Sequence, residues 1–332
     1  IDLEGVLIAD SLKMKLKSNS IFTWLRTFFL GNKRFLRNPK WAHAPESMII
    51  VNEIESEDRI PEQVSQYKFN KAKPPLFVFD VVRRKGNTTT VIFSWHHLLM
   101  DGYGAALSLR YLLQDVSPKN FDIEKFNLSF PTFWQAVRAK FFVQFSGSGR
   151  LTDIAEITKE KTVTQRLKVI SFTESETARI EQSGKRMGAS FGASAYYLTC
   201  CARAVKSVLK SRGQEVKDDF WIPVPQDKRK KGSIWPIVGN NLSFLFYRVS
   251  SNSLDDIKTA VSAFNTQMIS QIKRGMPQAY DYLIKYLRRI PTPLYYFWIK
   301  GPKGKSLSSF LFTVAAEHPK DLMEFEGLPV SN

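Results

Sequence analysis

Two adjacent histidines, His96 and His97, close an apolar run and are followed by Asp101 and Gly102 in the string HHLLMDG. They are half of the 4 histidines in a chain of 332 residues. An imidazole, with an unperturbed pKa near 6.5, needs little tuning to accept a proton at neutral pH, which suits a general base. Adjacent residues of an extended chain point to opposite faces, so one histidine faces a given cleft while the other packs or orients it. Asp101 can order the turn through a salt bridge or by accepting backbone hydrogen bonds. Gly102 can relieve the backbone where a helix begins. The three side chains could also ligate a metal, but no further His or Cys cluster completes such a site. A purely structural histidine pair is the plain alternative. Against it stands the whole HHxxxDG string, which residue usage would produce in on the order of one chain in a thousand or fewer.

The elements that must position this string are legible on either side of it. PPLFVFDVV (Pro74 to Val82) and TTTVIFSW (Thr88 to Trp95) are rich in β-branched and aromatic residues, and the polar RRKGN between them predicts an antiparallel hairpin. After Gly102 the spacing of Ala105, Leu109, Leu112 and Leu113 becomes helical, so the histidines sit where a strand hands over to a helix. Farther on, QRLKVISF (Gln165 to Phe172) reads as a strand, and the capping box TESE (Thr173 to Glu176) opens the helix ARIEQSGKRMG. A second helix, ASAYYLTCCARAVKSVLKSRG, is closed by Gly213. Strands DFWIPVP and NNLSFLFYRVS come next, joined by the basic loop QDKRKKGSIWPIVG, then a helix over about Leu254 to Lys273. Mixed elements of this kind imply an α/β or α+β protein of two subdomains, 1–155 and 156–332, divided at the polar region Gly147 to Thr164.

Composition bounds the function. Hydrophobic residues make up 43% of the chain, enough for a sizeable core, and a net charge of +17 calls for an anionic partner. Candidates are nucleic acid, an anionic membrane surface, a phosphorylated cofactor or an acidic protein; no nucleic-acid-binding signature is present. Cys200 and Cys201 are adjacent, a poor geometry for a disulfide, as suits a reducing cytoplasm. No charge-free apolar run approaches the roughly 20 residues that cross a bilayer. The first residue, Ile1, and the final EFEGLPVSN without a closing element suggest a fragment incomplete at both ends. Two amphipathic stretches, IFTWLRTFFLGNKRFLRNPKW and YLIKYLRRIPTPLYYFWIKGPKGK, mix aromatics with Lys and Arg in a way suited to a peripheral position on anionic lipid, although aromatic helices more often serve as core or subdomain contacts.

HHLLMDG resembles the signature of the thioester-dependent acyltransferase superfamily that includes chloramphenicol acetyltransferase, nonribosomal peptide condensation domains and the wax ester synthase/diacylglycerol acyltransferase family. PPLFVFDVV is similar to the Pro-Leu-Trp strand of wax ester synthases, with Phe77 in place of Trp. WIPVPQDKR and VGNNLSFLF resemble the C-terminal Val-Pro…Arg and Gly-Asn-x-x-Ser segments, and SFLFTVAAEHPKDLMEFEGLPVSN is similar to a late strand segment. Where wax ester enzymes carry Asn-Asp at a helix start, this chain has Gly192, Ala193 and Ser194.

The resemblance implies two chloramphenicol acetyltransferase-like subdomains, each a mixed sheet with flanking helices, and an active site in the tunnel between them. It implies that His97 is the general base removing a proton from an acceptor, that His96 supports it, and that Asp101 holds the loop by pairing with an arginine. Arg229 in PQDKR is the candidate partner, a solvated basic loop being the alternative. An oxyanion needs a donor where charge develops, and Asn240, Asn241 and Ser243 in GNNLSF are the candidates, against a reading of Gly239-Asn240 as a simple turn. No bound cofactor is expected. The donor would be acyl-CoA or acyl-pantetheine, and the acceptor the hydroxyl of a hydrophobic alcohol or glyceride. The alternatives are a condensation-type enzyme using thioesters on an acidic carrier protein to form an amide or ester, and a noncatalytic binding module.

Overall fold

The computed structural model describes residues 1–114, 129–146, 149–154, 168–230, 237–299, 308–314 and 324–331. The first half runs β1 (Asp2–Glu4), α1 (Ala9–Ser18), α2 (Ser20–Leu25), β2 (Thr27–Gly31), β3 (Lys40–His43), β4 (Val51–Glu55) and α3 (Glu62–Ser65). It continues with β5 (Phe77–Arg84), β6 (Thr88–Trp95), α4 (Gly102–Leu113) and α5 (Phe130–Ser146). The expected β5–β6 hairpin pairs Phe77 with Trp95 and Arg84 with Thr88, and Gly86 and Asn87 take the left-handed conformation its tight turn requires. The sheet order is β1-β6-β5-β4, mixed because β4 runs parallel to β5. β5 lies inside the sheet with Phe77 to Val82 all buried, which explains its nearly unbroken apolar run. Its one carboxylate, Asp80, accepts on Oδ1 from Tyr67 Oη at 2.7 Å and Asn52 Nδ2 at 2.9 Å, so one of its two buried oxygens is hydrogen-bonded. Beside it, Phe22, Phe77, Phe79 and Phe93 pack edge-on or stacked in the core.

The second half comprises α6 (Glu174–Arg186), α7 (Ser194–Ser211), β7 (Asp219–Asp227), β8 (Leu242–Ser250), α8 (Ile257–Lys273), α9 (Met276–Leu287), α10 (Thr292–Ile299), β9 (Glu324–Phe325) and β10 (Leu328–Pro329). Thr173 and Glu176 form the expected capping box, and Gly213 takes φ 67° just past α7. Among the described residues, the larger sheet of this half is the antiparallel β7–β8 pair and the smaller is the antiparallel β9–β10 pair, so neither is mixed. Its core joins Phe220, Ile222 and Leu245 to Leu198 and Ala202 of α7 and Phe264 of α8.

Two expectations are corrected and a third is met in part. Of Gln165 to Phe172, the described part, 168–172, is an exposed segment with no strand partner among the described residues; β-branched residues alone do not make a strand when no neighbour takes up the backbone hydrogen bonds. The aromatic stretch beginning at Ile21 is not one helix, for α2 stops at Leu25 and β2 and β3 form a hairpin beyond it. Phe22 and Leu25 are fully buried while Phe35 at the hairpin tip is exposed. The late segment resembling a strand meets β7 in its first part through Ser309 N–H to Trp221 O at 2.8 Å, without becoming a regular strand over 309–314, and in its last part forms β9 and β10; 315–323 lie outside the described residues.

The expected boundary at 155/156 also lies outside the described residues. Around it the two halves exchange elements. Ala136 and Ala139 of α5 pack on Met276, Ala279 and Leu283 of α9. Conversely, Phe325 of β9 and Ile237, both buried, join the core built on β5 and β6. The Ile237 carbonyl presses on the first turn of α4, where a Cβ on Gly104 would stand 2.3 Å from it. A Cβ on Gly102 would meet nothing within 4 Å, and Gly102 has no left-handed φ. The glycine that this junction requires is thus Gly104, not Gly102, because the constraint is a close approach of backbone from the other half. Gly104→Ala should cost roughly 1–3 kcal/mol or more through overpacking, and Gly102→Ala no more than about 0.5 kcal/mol, as read from urea unfolding midpoints.

Candidate active site

Asp101 caps α4: its extended backbone ends the loop, and Oδ1 accepts from Gly104 N–H at 2.8 Å. The same carboxylate receives Arg229 Nη2, at 3.0 Å on Oδ1 and 3.1 Å on Oδ2, and Asn241 N–H at 2.7 Å on Oδ2. Both side chains of the ion pair are 1% exposed. Arg229 further binds Asp227 Oδ1 at 2.9 Å and lies over the Tyr103 ring at 5.2 Å. Its guanidinium therefore belongs to the interior; it is not part of a solvated loop. The neighbouring Lys228 reaches buried Asp281 on α9 at 2.5 Å. Lys231 lies outside the described residues.

The segment 237–241 lies along the histidine turn. Gly239 N–H donates to Leu99 O at 2.6 Å, beside a parallel bridge between Met100 and Gly239. Asn240 Nδ2 donates to His97 O at 2.9 Å. Asn241 Nδ2 donates to Val238 O and Gly239 O at 3.1 and 3.2 Å, and the Ser243 hydroxyl donates to Pro277 O. Asn241 and Ser243 are thereby corrected as oxyanion donors: their hydrogens hold the frame, and Ser243 is 2% exposed. Only Asn240 keeps an amide hydrogen with no partner among the described residues, and its amide is fastened to the carbonyl of His97. From the first half, Trp95 Nε1 donates to Met100 O at 3.1 Å, closing the turn from below.

The two histidines are held differently. His96 is half-buried and its Nδ1 accepts from Leu98 N–H at 3.0 Å. This bond requires an unprotonated Nδ1 and so puts the proton of the neutral ring on Nε2. Burial, then the Lys71 and His97 charges, lower its pKa. With one nitrogen occupied and the other protonated, His96 has no free lone pair for a base. His97 is exposed, and among the described residues its ring makes no hydrogen bond, while its backbone is pinned by Asn240. The alternation expected along an extended chain thus separates an orienting imidazole from an available one. Among the described residues no three His, Cys, Asp or Glu come together as metal ligands. Sequence reasoning missed Gly104, Trp95, Tyr103 and Lys71. The DGYG spacing signals Gly104; nothing local connects Lys71 to a histidine 25 positions on.

Removing one member of a buried ion pair strands the other, so Asp101→Ala or Arg229→Ala should each lose about 3–5 kcal/mol of stability. The double variant should fall short of the sum, with a coupling of roughly 0.5–3 kcal/mol or more in a urea-unfolding cycle. Because the His96 pKa is lowered on folding, the unfolded chain takes up its proton first as the pH falls. Stability should therefore decline from about pH 6.5 toward the lower folded value and then level off. Unfolding midpoints at neutral and acidic pH should show a smaller decline in His96→Asn, which cannot titrate but keeps an acceptor for Leu98 N–H.

No known family model matches the sequence, and no curated protein matches it. Solved structures do. The starter condensation domain of rhizomide synthetase, as a point mutant in complex with C8-CoA, matches at TM-score 0.56 with 15% identity, covering 95% of this chain and 72% of that one. The first condensation domain of the calcium-dependent antibiotic synthetase, in complex with a substrate analogue, matches at TM-score 0.56 with 12% identity, covering 83% and 69%. Tallysomycin biosynthesis protein TlmII matches at TM-score 0.55 with 11% identity, covering 96% and 73%. The chain has the two-subdomain, chloramphenicol acetyltransferase-like fold of the condensation domains.

Proposed function

We propose that this protein is a thioester-dependent acyltransferase in which His97 is the general base. The observation that carries the reading is the exposed, unbonded His97 ring, beside a His96 ring whose only free acceptor is taken, on a turn clamped by Asp101 and Arg229. A ring nitrogen of His97 takes the proton of an acceptor hydroxyl as its oxygen attacks the thioester carbonyl carbon. The tetrahedral intermediate collapses with cleavage of the C–S bond. The imidazolium returns the proton to the departing thiolate, leaving an ester and a free thiol. With an amine acceptor the same steps form an amide. No covalent acyl-enzyme is involved. Asn240 is the remaining donor that could meet the oxyanion, from the amide hydrogen not given to His97 O.

The donor is acyl-CoA or acyl-pantetheine: a neighbour of the same fold holds C8-CoA, and a chain of net charge +17 attracts the phosphates of such a donor. For the acceptor, the hydroxyl of a hydrophobic alcohol or glyceride is the reading favoured by the wax ester-like strand PPLFVFDVV. The condensation-type alternative, with the donor on an acidic carrier protein, is supported at least as well because the structural neighbours are condensation domains.

The two readings separate in one assay of free-thiol release. Acyl-CoAs with and without a long-chain alcohol or diacylglycerol should show acceptor-dependent release in the first case; release only from carrier-protein thioesters would establish the second. In either, His97→Ala should lower the rate by about 10²–10⁴ with unfolding midpoint unchanged. An undiminished rate in His97→Ala would leave the noncatalytic role of the turn as the better account.

A further inference from the structure

α5 is built inside out. Ala136 and Ala139 face α9, whereas Phe130, Phe133, Trp134, Phe141 and Phe145 are between 46 and 74% exposed. At about 100° per residue these five fall within an arc of roughly 120°, a single aromatic stripe turned to solvent. Polar residues normally occupy that face of a surface helix. The stripe does not end with α5. Lys140 lies 5.4 Å over the Trp298 ring, joining α5 to α10, where Phe297 is 75% and Trp298 48% exposed. α10 is in turn tied to the β2–β3 hairpin: Thr292 N–H donates to Asn32 O at 2.9 Å and Asn32 Nδ2 donates to Ile290 O at 3.1 Å. At the hairpin tip, Leu30, Phe35 and Leu36 are 53 to 62% exposed, among exposed Lys33, Arg34, Arg37 and Lys40.

Charge says what such a surface meets. The segments 27–45, 130–146 and 286–299 hold four, two and two Lys or Arg respectively and not one Asp or Glu, although acidic residues make up 31 of the chain's 332; the preceding Lys285 is taken up by buried Asp281. A surface for a protein partner of mixed charge would not be cleared of carboxylates across three separate stretches of chain. Exposed Phe and Trp among cations, without anions, match the boundary between anionic headgroups and acyl chains. No helix among the described residues is long and apolar enough to cross a membrane. We infer that α5, α10 and the β2–β3 hairpin together dock this protein on the surface of an anionic lipid bilayer. The docking surface reaches the histidine turn through Arg288, just before α10, whose Nη2 donates to Asn240 O at 3.4 Å, while Lys71, whose charge acts on His96, bonds Tyr296. An acceptor dissolved in that bilayer would enter from the docked side. The docking itself is independent of the acyl-transfer reading and is measured without turnover.

The test is cosedimentation of the chain with vesicles of phosphatidylcholine and phosphatidylglycerol in equal parts, against phosphatidylcholine alone. Binding is expected to the anionic vesicles and to weaken with salt. Phe130→Ser/Trp134→Ser/Phe297→Ser and Lys33→Glu/Arg34→Glu/Arg37→Glu should each lower the partition at least about tenfold, at unchanged unfolding midpoints, since all six positions are exposed. In the unmodified protein, brominated acyl chains should quench tryptophan fluorescence, and Trp134→Phe should reduce that quenching. Absence of binding to anionic vesicles overturns the inference. So does binding indifferent to the aromatic substitutions, which would be adsorption of a basic protein, and so does a dimer dispersed by those substitutions, which would assign the surface to a second copy of the chain.

Discussion

The buried pair of Asp101 and Arg229 is the interaction on which the rest of the site depends. Each charge alone would be costly in an interior from which water is excluded, and each comes from a different half of the chain. Asp101 stands at the end of the histidine turn and Arg229 in the loop after β7, where Asp227 of its own half also pairs with it, so the Asp101 carboxylate meets this counter-charge only when the halves have met. The carboxylate also caps α4 and anchors Asn241 N–H. One side chain thereby sets the direction of a helix, the placement of a strand entry and the height of the turn that carries His97.

That clamp lets two neighbours in sequence divide the labour. The strand ends at Trp95, whose indole N–H closes on Met100 O, and the next two residues face different surroundings. His96 turns inward and spends an acceptor on Leu98 N–H, a bond that only the unprotonated nitrogen can make. His97 turns outward, its backbone held by Asn240 and its ring left available. A loop with fewer fixed carbonyls could carry the same two residues without holding one imidazole steady. Preorganisation of this kind matters because a proton-transfer partner is useful only within hydrogen-bond reach of its target.

The junction that supports the site is interleaved. Ile237 enters the first core while α5 leaves it for α9, so the two halves are not independent bodies resting on each other. The same exchange leaves the outer face of α5 aromatic and exposed, beside α10 and the β2–β3 hairpin. The proposed chemistry and the proposed surface attachment would thus share one set of elements, since the helix after Arg288 is also the helix that carries Phe297 and Trp298.

Local pattern determined a good deal here. The β5–β6 hairpin, its turn at Gly86-Asn87, the start of α4 at Gly102, the capping box of α6, the close of α7 at Gly213 and the β7–β8 pair all arise from residue type and spacing, because turns, caps and alternation are governed by neighbours in sequence. HHxxxDG marked the strand-to-helix turn on which the proposed general base stands for the same reason. Only the tertiary structure decided what depends on distant chain: that Gly104, not Gly102, is the indispensable glycine, because Ile237 O arrives from the other half; that Arg229 is buried where its lysine neighbours suggested solvent; and that Asn241 and Ser243 are spent on framework carbonyls. It also decided that 168–172 has no strand partner among the described residues and that α5 turns its aromatics outward. Burial and pairing are properties of the assembled chain, and a sequence pattern records a side chain's chemistry without recording what the fold brings against it.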